Sequence, residues 1–209
     1  RAARPASSQF QLDPAYGLFG LAVASDSKAL SDVEVRRALA MSINRDRIVQ
    51  LFGVSKWKPV LSLLPAQLDS AAPPAALAWV QLSLEDRIAR ARSYVSARPG
   101  LPEIRVALPK GATSRLLFAA LADDWRRIGV RTRLVGKNES ADLRLIDEVA
   151  PQSSAMWYLS RVSCSHKMPC SPAGEAALGA VGSATTQDDR AAAIAEADAA
   201  FASNQPYLP

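Results

Sequence analysis

The chain has 209 residues, of which 49% are hydrophobic and 22% charged, a balance typical of a globular protein with a sizeable core. No stretch approaches the roughly 20 uninterrupted apolar residues that a membrane-spanning helix requires. The net charge of +5 arises from six lysines and 19 arginines scattered beside acidic residues, which indicates a solvated surface rather than a nucleic-acid-binding face.

The chain opens on RAARPASSQ, without the charged and then apolar leader of a secreted protein. Because it also starts with arginine, we expect a fragment or a processed product whose leader was removed or lies upstream. The polar segment Arg1 to Asp13 is expected to be irregular. Apolar residues across Tyr16 to Ala24 then predict a strand.

A pair of helices is predicted next, in the string LSDVEVRRALAMSINRDRIV of residues 30–49. Ser31 followed three residues later by Glu34 predicts a capping box, and small or apolar residues recur at helical spacing as far as Ile43. Asn44 is expected to cap a second short helix that runs through Phe52. The pattern alone indicates no more than an amphipathic helix pair.

Residues 56–78 contain four prolines and few periodic apolar positions, which predicts a long ordered loop. Trp57 and Trp79 flank this loop, where an interaction role has no further support. Ser83 and Asp86 then predict the start of a helix that ends near Arg98, before a Pro-Gly pair.

A strand, a helix and a strand follow, which predicts a βαβ unit with parallel strands. The alternation in EIRVALP predicts the first strand. The helix is expected to open at Thr113 or Ser114, to turn Trp125 to the core and to end at Gly129 in a left-handed cap. VRTRLV and ADLRLID predict two further strands. From residue 173 the chain is helical again, with Asp188 or Asp189 capping the last helix.

Residues 31–49, SDVEVRRALAMSINRDRIV, closely resemble the FSDVRVRQALAYAIDR-type signature of family 5 extracellular solute-binding proteins, the peptide receptors of ATP-driven importers. Upstream, AYGLFGLAVAS occupies the place of the family's apolar strand. A helix that ends in IGV directly before a strand is also similar to the family's sequences. The resemblance implies an α/β fold: a periplasmic-binding-protein-like lobe of type II, peptide-binding cluster, with a mixed sheet flanked by helices.

The resemblance covers residues 1–209 as a single lobe, the second of two, and the chain stops at QPYLP, where relatives return to the first lobe. It implies capture of a peptide or other small solute between the lobes by hinge closure, and delivery to an ABC permease. It also implies a periplasmic, extracytoplasmic or lipid-anchored location, no cofactor and no nucleic-acid partner. The fragment alone is expected to bind solute weakly or not at all.

Two alternatives of other classes remain. The same fold can follow a DNA-binding head as the ligand-sensing domain of a transcription regulator. The chain can also be an interaction domain that merely retains the fold. Oxidised cysteines would fit export, whereas free thiols would favour the cytoplasm.

Cys164 and Cys170 lie in CSHKMPC, where a disulfide, two free thiols and a metal site with His166 are all compatible with the spacing. Three soft ligands in seven residues without a second cluster are weak support for a metal site, so no metal is expected. The family resemblance favours the disulfide, because many relatives carry a similar cysteine pair at this point.

Enzyme activity is not expected. The only histidine, His166, has no evident nucleophile and orienting acid, and the chain contains no phosphate-binding GxxxxGK[ST] and no dinucleotide-binding GxGxxG motif. Asp123 and Asp124 are adjacent on a predicted helix, so the pair is not expected to act jointly.

Candidate solute-binding residues lie on and after the third predicted strand. They are Asp147, Glu148 and Arg144 on the strand, and Trp157 and Tyr158 beyond it, the two rings for stacking. The alternative for the aromatic pair is that one of them packs beneath the cysteine loop.

Relatives that bind peptides often hold the ligand's amino group with an aspartate in a W-x-x-D-x-x-D-P segment. The matching places here carry Ser153 and Ala155, without a DP pair. A buried ammonium needs a charged partner to offset its desolvation. This departure predicts that dipeptides are not bound in the usual manner, unless Asp147 or Glu148 has taken over.

Overall fold

The computed structural model describes residues 16–54, 57–66, 68 and 73–209. In these residues five strands form one sheet in the order β3-β2-β4-β1-β5. The strands are β1 Gly17–Val23, β2 Ile104–Leu108, β3 Thr132–Gly136, β4 Leu143–Val149 and β5 Tyr207–Leu208. The α-helices are α1 Val33–Ser42, α2 Arg45–Phe52, α3 Leu84–Ser96, α4 Ala112–Arg127, α5 Ala155–Arg161, α6 Pro172–Ser183 and α7 Gln187–Asn204. Short 3₁₀ helices span Ala78–Gln81 and Cys164–His166. The predicted opening segment, Arg1 to Asp13, lies outside the described residues.

The sheet is mixed, as predicted. β2 runs parallel to both β3 and β4, which confirms the parallel βαβ unit, while β1 is antiparallel to β4 and β5. The carboxyl ends of β2, β3 and β4 therefore meet at one edge of the sheet. The amino end of β1 lies at the same edge, since Gly17 pairs with Val149.

Each face of the sheet is covered by its own hydrophobic core, because alternate residues of a strand point to opposite faces. The first core joins the sheet to α1, α3 and α4, and Trp125 is fully buried in it, as its helical spacing predicts. The second core lies under α5, α6 and α7 and includes Tyr158 and Phe201. The predicted fold class, an α/β lobe whose mixed sheet is flanked by helices, is confirmed.

The predicted helix pair is present, but its first cap is one residue later than expected. Asp32 is the N-cap of α1 and its carboxylate accepts from the backbone N–H of Glu34, whereas the Ser31 hydroxyl donates to the carbonyl of Lys28. The capping box at Ser31 was therefore wrong, because that hydroxyl closes the preceding turn. Asn44 caps α2 as predicted, accepting from the backbone N–H of Arg47.

Two other helix starts also differ from the prediction. α4 begins directly after Gly111, before Thr113 and Ser114, and α7 begins after Thr186 rather than at the two aspartates. The Thr186 hydroxyl accepts from the backbone N–H of Asp189 and donates to its carboxylate. Threonine and Asp189 thus form the capping arrangement together, with the threonine outside the helix. Gly129 has φ +87°, which confirms the left-handed end of α4.

The arginines of the α1–α2 string bind other parts of the lobe. Arg36 is 3% exposed and donates to the carbonyls of Leu30, Ser31 and Asn204, the last residue of α7. Arg45 is also buried and donates to the carbonyls of Ala40 and Pro209. These guanidinium groups satisfy backbone carbonyls at the end of α7 and beside β5. The string therefore fastens α7 and β5 to α1 and α2.

The proline-rich stretch is described at residues 57–66, 68 and 73–78. Its described residues before Ala78 hold neither helix nor strand. Leu64 and Leu68 are buried in the second core, whereas Leu61 and Leu77 pack against the first, so the stretch contacts both cores. None of the helices in the described part of the chain is both long and apolar enough to cross a membrane.

Asp142 joins three segments near the amino end of β4. It is 4% exposed, and its carboxylate accepts from the Ser27 hydroxyl at 2.8 Å and from the backbone N–H of Arg105 at 2.8 Å. Burial alone would raise the pKa of Asp142, but hydrogen bonds from Arg105 and Ser27 favour the carboxylate and hold the pKa below its ordinary value.

Asp142→Asn is expected to lower the free energy of unfolding near neutral pH by about 1–3 kcal/mol. A carboxyl group with a pKa depressed by folding contributes stability above its unfolded pKa of about 3.9. That contribution is lost as the pH falls through the lower folded pKa. The difference between variant and parent should therefore shrink on acidification. Urea denaturation at about pH 7, 5 and 3 measures it. A difference that does not change with pH would contradict the assignment.

Candidate functional site

The edge of the sheet at the carboxyl ends of β2, β3 and β4 is the candidate site. In open α/β sheets ligands bind outside the carboxyl ends of the strands, where connecting loops diverge and leave a crevice. Here β4 ends at Val149, which is 71% exposed, and residues 150–154 lead from it into α5. This carboxyl edge contains the end of β4 and the start of β1.

Asp147 and Glu148 lie on opposite faces of the sheet and do not form one acidic pair. Phe19 pairs with Asp147 and Leu18 with Glu148, and these two β1 residues point to different faces. Glu148 lies 3.1 Å from the guanidinium of Arg161, which neutralises its charge. The two carboxylates therefore meet different surroundings.

Asp147 lies beside an exposed aromatic cluster formed by Phe19, Phe52 and Trp57. The ring centroids are 6.3 Å apart for Phe19 and Phe52, 5.9 Å for Phe19 and Trp57, and 5.8 Å for Phe52 and Trp57. Phe19 is 39% exposed and Trp57 is 46% exposed. Since directly opposite residues of an antiparallel pair have adjacent side chains, exposed Asp147 is the cross-strand neighbour of Phe19. The cluster offers an aromatic surface with an acidic border.

Sequence reasoning singled out only Trp57 from this cluster. Phe19 falls in the predicted strand and Phe52 at the end of the predicted second helix, so both were expected to be ordinary apolar positions. Their common location depends on three separate segments meeting. Trp79, at the other end of the proline-rich stretch, is 5% exposed and packs in the first core.

Trp157 and Tyr158 occupy different environments although they are adjacent. The Trp157 ring is half-buried and lies 5.2 Å from the Arg161 guanidinium, a cation–π contact on the same side of the sheet as Glu148. Tyr158 is fully buried in the second core, with its ring edge-on to Trp157 at 4.9 Å, and burial raises the pKa of Tyr158. Trp157 is thus the member of the pair that reaches the surface.

Arg144 is half-buried and its guanidinium is held by the turn between β3 and β4. It donates to the carbonyl of Lys137 at 2.7 Å and to the carbonyl of Glu139. These bonds fix the side chain against a turn at the carboxyl end of β3. The Arg144 side chain therefore orders the turn between β3 and β4.

An open groove with a volume of about 370 Å³ adjoins the carboxyl end of β4. One wall is the start of α5 with the loop before it, and the other is the first half of α7. Its lining residues are Gln152, Ser153, Ser154, Ala155, Met156, Arg190 and Ile194. Sequence reasoning had marked two of these positions, Ser153 and Ala155, but gave no signal for the α7 wall.

Cys164 and Cys170 form a disulfide, which confirms the pairing that the resemblance favoured. His166 lies between them, with Nδ1 3.0 Å from the Ser165 hydroxyl and 3.3 Å from the Ser163 hydroxyl. Within the described residues, no group of three or more His, Cys, Asp or Glu side chains could hold a metal ion.

The lobe has the fold of the periplasmic solute-binding proteins. It superposes on the Escherichia coli murein tripeptide binding protein MppA with a TM-score of 0.79 at 20% identity, covering 91% of this chain and 41% of that one. For OppA of Burkholderia pseudomallei the TM-score is 0.78 at 18% identity, over 91% and 42% of the two chains. For NikA of Brucella suis in complex with Fe(III)-EDTA it is 0.69 at 18% identity, over 93% and 45%.

The chain therefore spans about two fifths of the length of these proteins. No protein-family model matches the sequence. No curated protein sequence matches it either. At these identities the superpositions establish the fold alone.

Proposed function

We propose that this chain is the second lobe of a family 5 solute-binding protein that captures a small solute between two lobes for an ABC importer. The observation that carries the proposal is the carboxyl edge of the sheet. There the exposed Phe19–Phe52–Trp57 cluster, Asp147 and the open groove lie on a lobe with the fold of such receptors. A first lobe closing on this edge would bury the aromatic surface against the solute.

The α1–α2 string supports the family assignment through its structural role. Its arginines at positions 36 and 45 bind carbonyls of α7 and of the chain beside β5, and Arg47 pairs with two aspartates of α4. The string thus fastens α4, α7 and the chain beside β5 to α1 and α2, a structural role that fits its resemblance to the signature of proteins with this fold.

The disulfide supports a location outside the cytoplasm. Such bonds persist in oxidising compartments and are rare in the cytosol. It therefore favours a periplasmic or extracytoplasmic receptor, soluble or lipid-anchored, over the sensing domain of a transcription regulator. A membrane permease and a first lobe are the partners that this function requires.

Deletion of the gene, followed by measurement of labelled tripeptide, dipeptide and metal-chelate uptake, tests the proposal. We expect uptake of one solute class to fall, and to recover when the gene is supplied in trans. Unchanged uptake of every class, together with altered transcription of transport genes, would instead identify the regulator. In titrations the chain alone is expected to bind solute weakly, since one lobe supplies half of the cleft.

A further inference from the structure

The groove between α5 and α7 has a polar lining with one cation. Gln152, Ser153 and Ser154 supply an amide and two hydroxyl groups along one wall, and Arg190 supplies a guanidinium on the other. The apolar members of the lining are Ala155, Met156 and Ile194. No carboxylate is among the lining residues.

Arg190 is exposed, and the described residues do not neutralise it. The Arg190 guanidinium donates one long hydrogen bond, 3.4 Å from Nη1 to the carbonyl of Val181. Among the described residues, no ion pair includes Arg190. The nearest acidic residues in the sequence are Asp188 and Asp189, in the first turn of α7, and neither lines the groove. Asp189 accepts instead from the Thr186 hydroxyl at 2.7 Å.

These groups favour a ligand that offers oxygen acceptors and a negative charge. A guanidinium binds carboxylates with charge-assisted hydrogen bonds, and serine hydroxyls and the glutamine amide can donate to the same group. A ligand ammonium in this groove would face Arg190 and would meet no lining carboxylate to offset its desolvation.

We infer that the groove binds an anionic end of the solute, a carboxylate or a similar acceptor-rich group. The inference rests on the proposed function and names the chemical class of its solute. Arg190 supplies the charge and the residues 152–154 supply the neutral donors.

Three matched probes test the inference: alanyl-alanine amide, its N-acetyl derivative and its N-succinyl derivative, which carry a positive, a neutral and a negative amino-terminal group. Each is titrated into the chain while the backbone amide shifts of residues 152–156 are followed by NMR. We expect the succinyl probe to bind most tightly at these amides. In Arg190→Gln its Kd should rise about tenfold, the value of a charge-assisted contact.

Arg90→Gln is the matched control, because Arg90 is exposed on α3, which packs on the other face of the sheet, and the substitution removes the same charge. If both substitutions weaken binding of the succinyl probe equally, the effect comes from net charge alone, and the inference is overturned. Tighter binding of the positively charged probe at residues 152–156 would also overturn it, while leaving a solute receptor in place. If no probe shifts these amides, the groove is not a subsite, and the uptake measurement judges the receptor function separately.

Discussion

Arg36→Ala is expected to lower the free energy of unfolding by about 3–5 kcal/mol, a large share of the stability of a typical domain. The buried guanidinium donates to the carbonyls of Leu30, Ser31 and Asn204, and its Nη2 also lies 3.1 Å from the Asn204 side-chain oxygen. Removing it leaves buried carbonyls without their donors and separates the end of α7 from α1. Urea denaturation followed by circular dichroism measures the loss.

Arg37 provides the matched control for Arg36. It is the next residue on α1, but its side chain is 30% exposed, and it pairs with Glu34 and the carbonyl of Ser203. Arg37→Ala should therefore cost less than about 1 kcal/mol. Arg36→Lys should recover only part of the loss, since an ammonium cannot reproduce the planar fork of a guanidinium. Equal losses for the two alanine variants would show that the buried fork does not fasten α7.

Asp124→Ala is expected to lower the free energy of unfolding by about 3 kcal/mol, because it removes a buried carboxylate that accepts two hydrogen bonds. The Asp124 side chain is completely buried. It accepts from Arg47 Nη2 at 2.7 Å and from the backbone N–H of Asn44 at 2.9 Å, so it joins α4 to the start of α2. Thermal unfolding of the variant provides the measurement, as a lowered Tm.

Asp123→Ala is the control, because Asp123 binds the same arginine at 2.9 Å through a side chain that is 39% exposed. Solvent screens that pair, and a much smaller change in Tm is expected. The two aspartates do act on one partner, which the sequence argument did not anticipate: adjacent helical side chains diverge, but the long Arg47 side chain spans both. A larger loss at Asp123 than at Asp124 would be incompatible with burial as the source of the effect.

Hydrophobic periodicity predicted most of the regular elements of this lobe, but neither the short helix α5 nor the two-residue strand β5. The helix faces that contain Leu39 and Trp125, and the strand alternation at 104–108, are set by a core that each element must face, so local pattern and tertiary packing agree. The cap positions were less predictable, because Ser31 and Thr186 each compete with a neighbouring aspartate for the same role. The position at which the preceding turn ends decides which of the two residues caps the helix.

The candidate site was predicted only in part. The end of β4 was identified from the order of elements, but Asp147 and Glu148 could be separated only by the register with β1. Phe19, Phe52 and Trp57 come from a strand, a helix end and a loop, and no local pattern brings them together. Arg190 and Ile194 lie more than thirty residues beyond the other lining residues, and only the packing of α7 beside α5 makes them part of the groove.

Amide chemical-shift mapping with a panel of small peptides, acidic solutes and metal chelates at about millimolar concentration most directly tests whether this lobe is half of a solute receptor. We predict that a bound solute shifts signals at the carboxyl edge: the Trp57 indole, Phe19, Asp147 and residues 150–154. Shifts confined to the opposite edge, around the α1 start, would contradict the account.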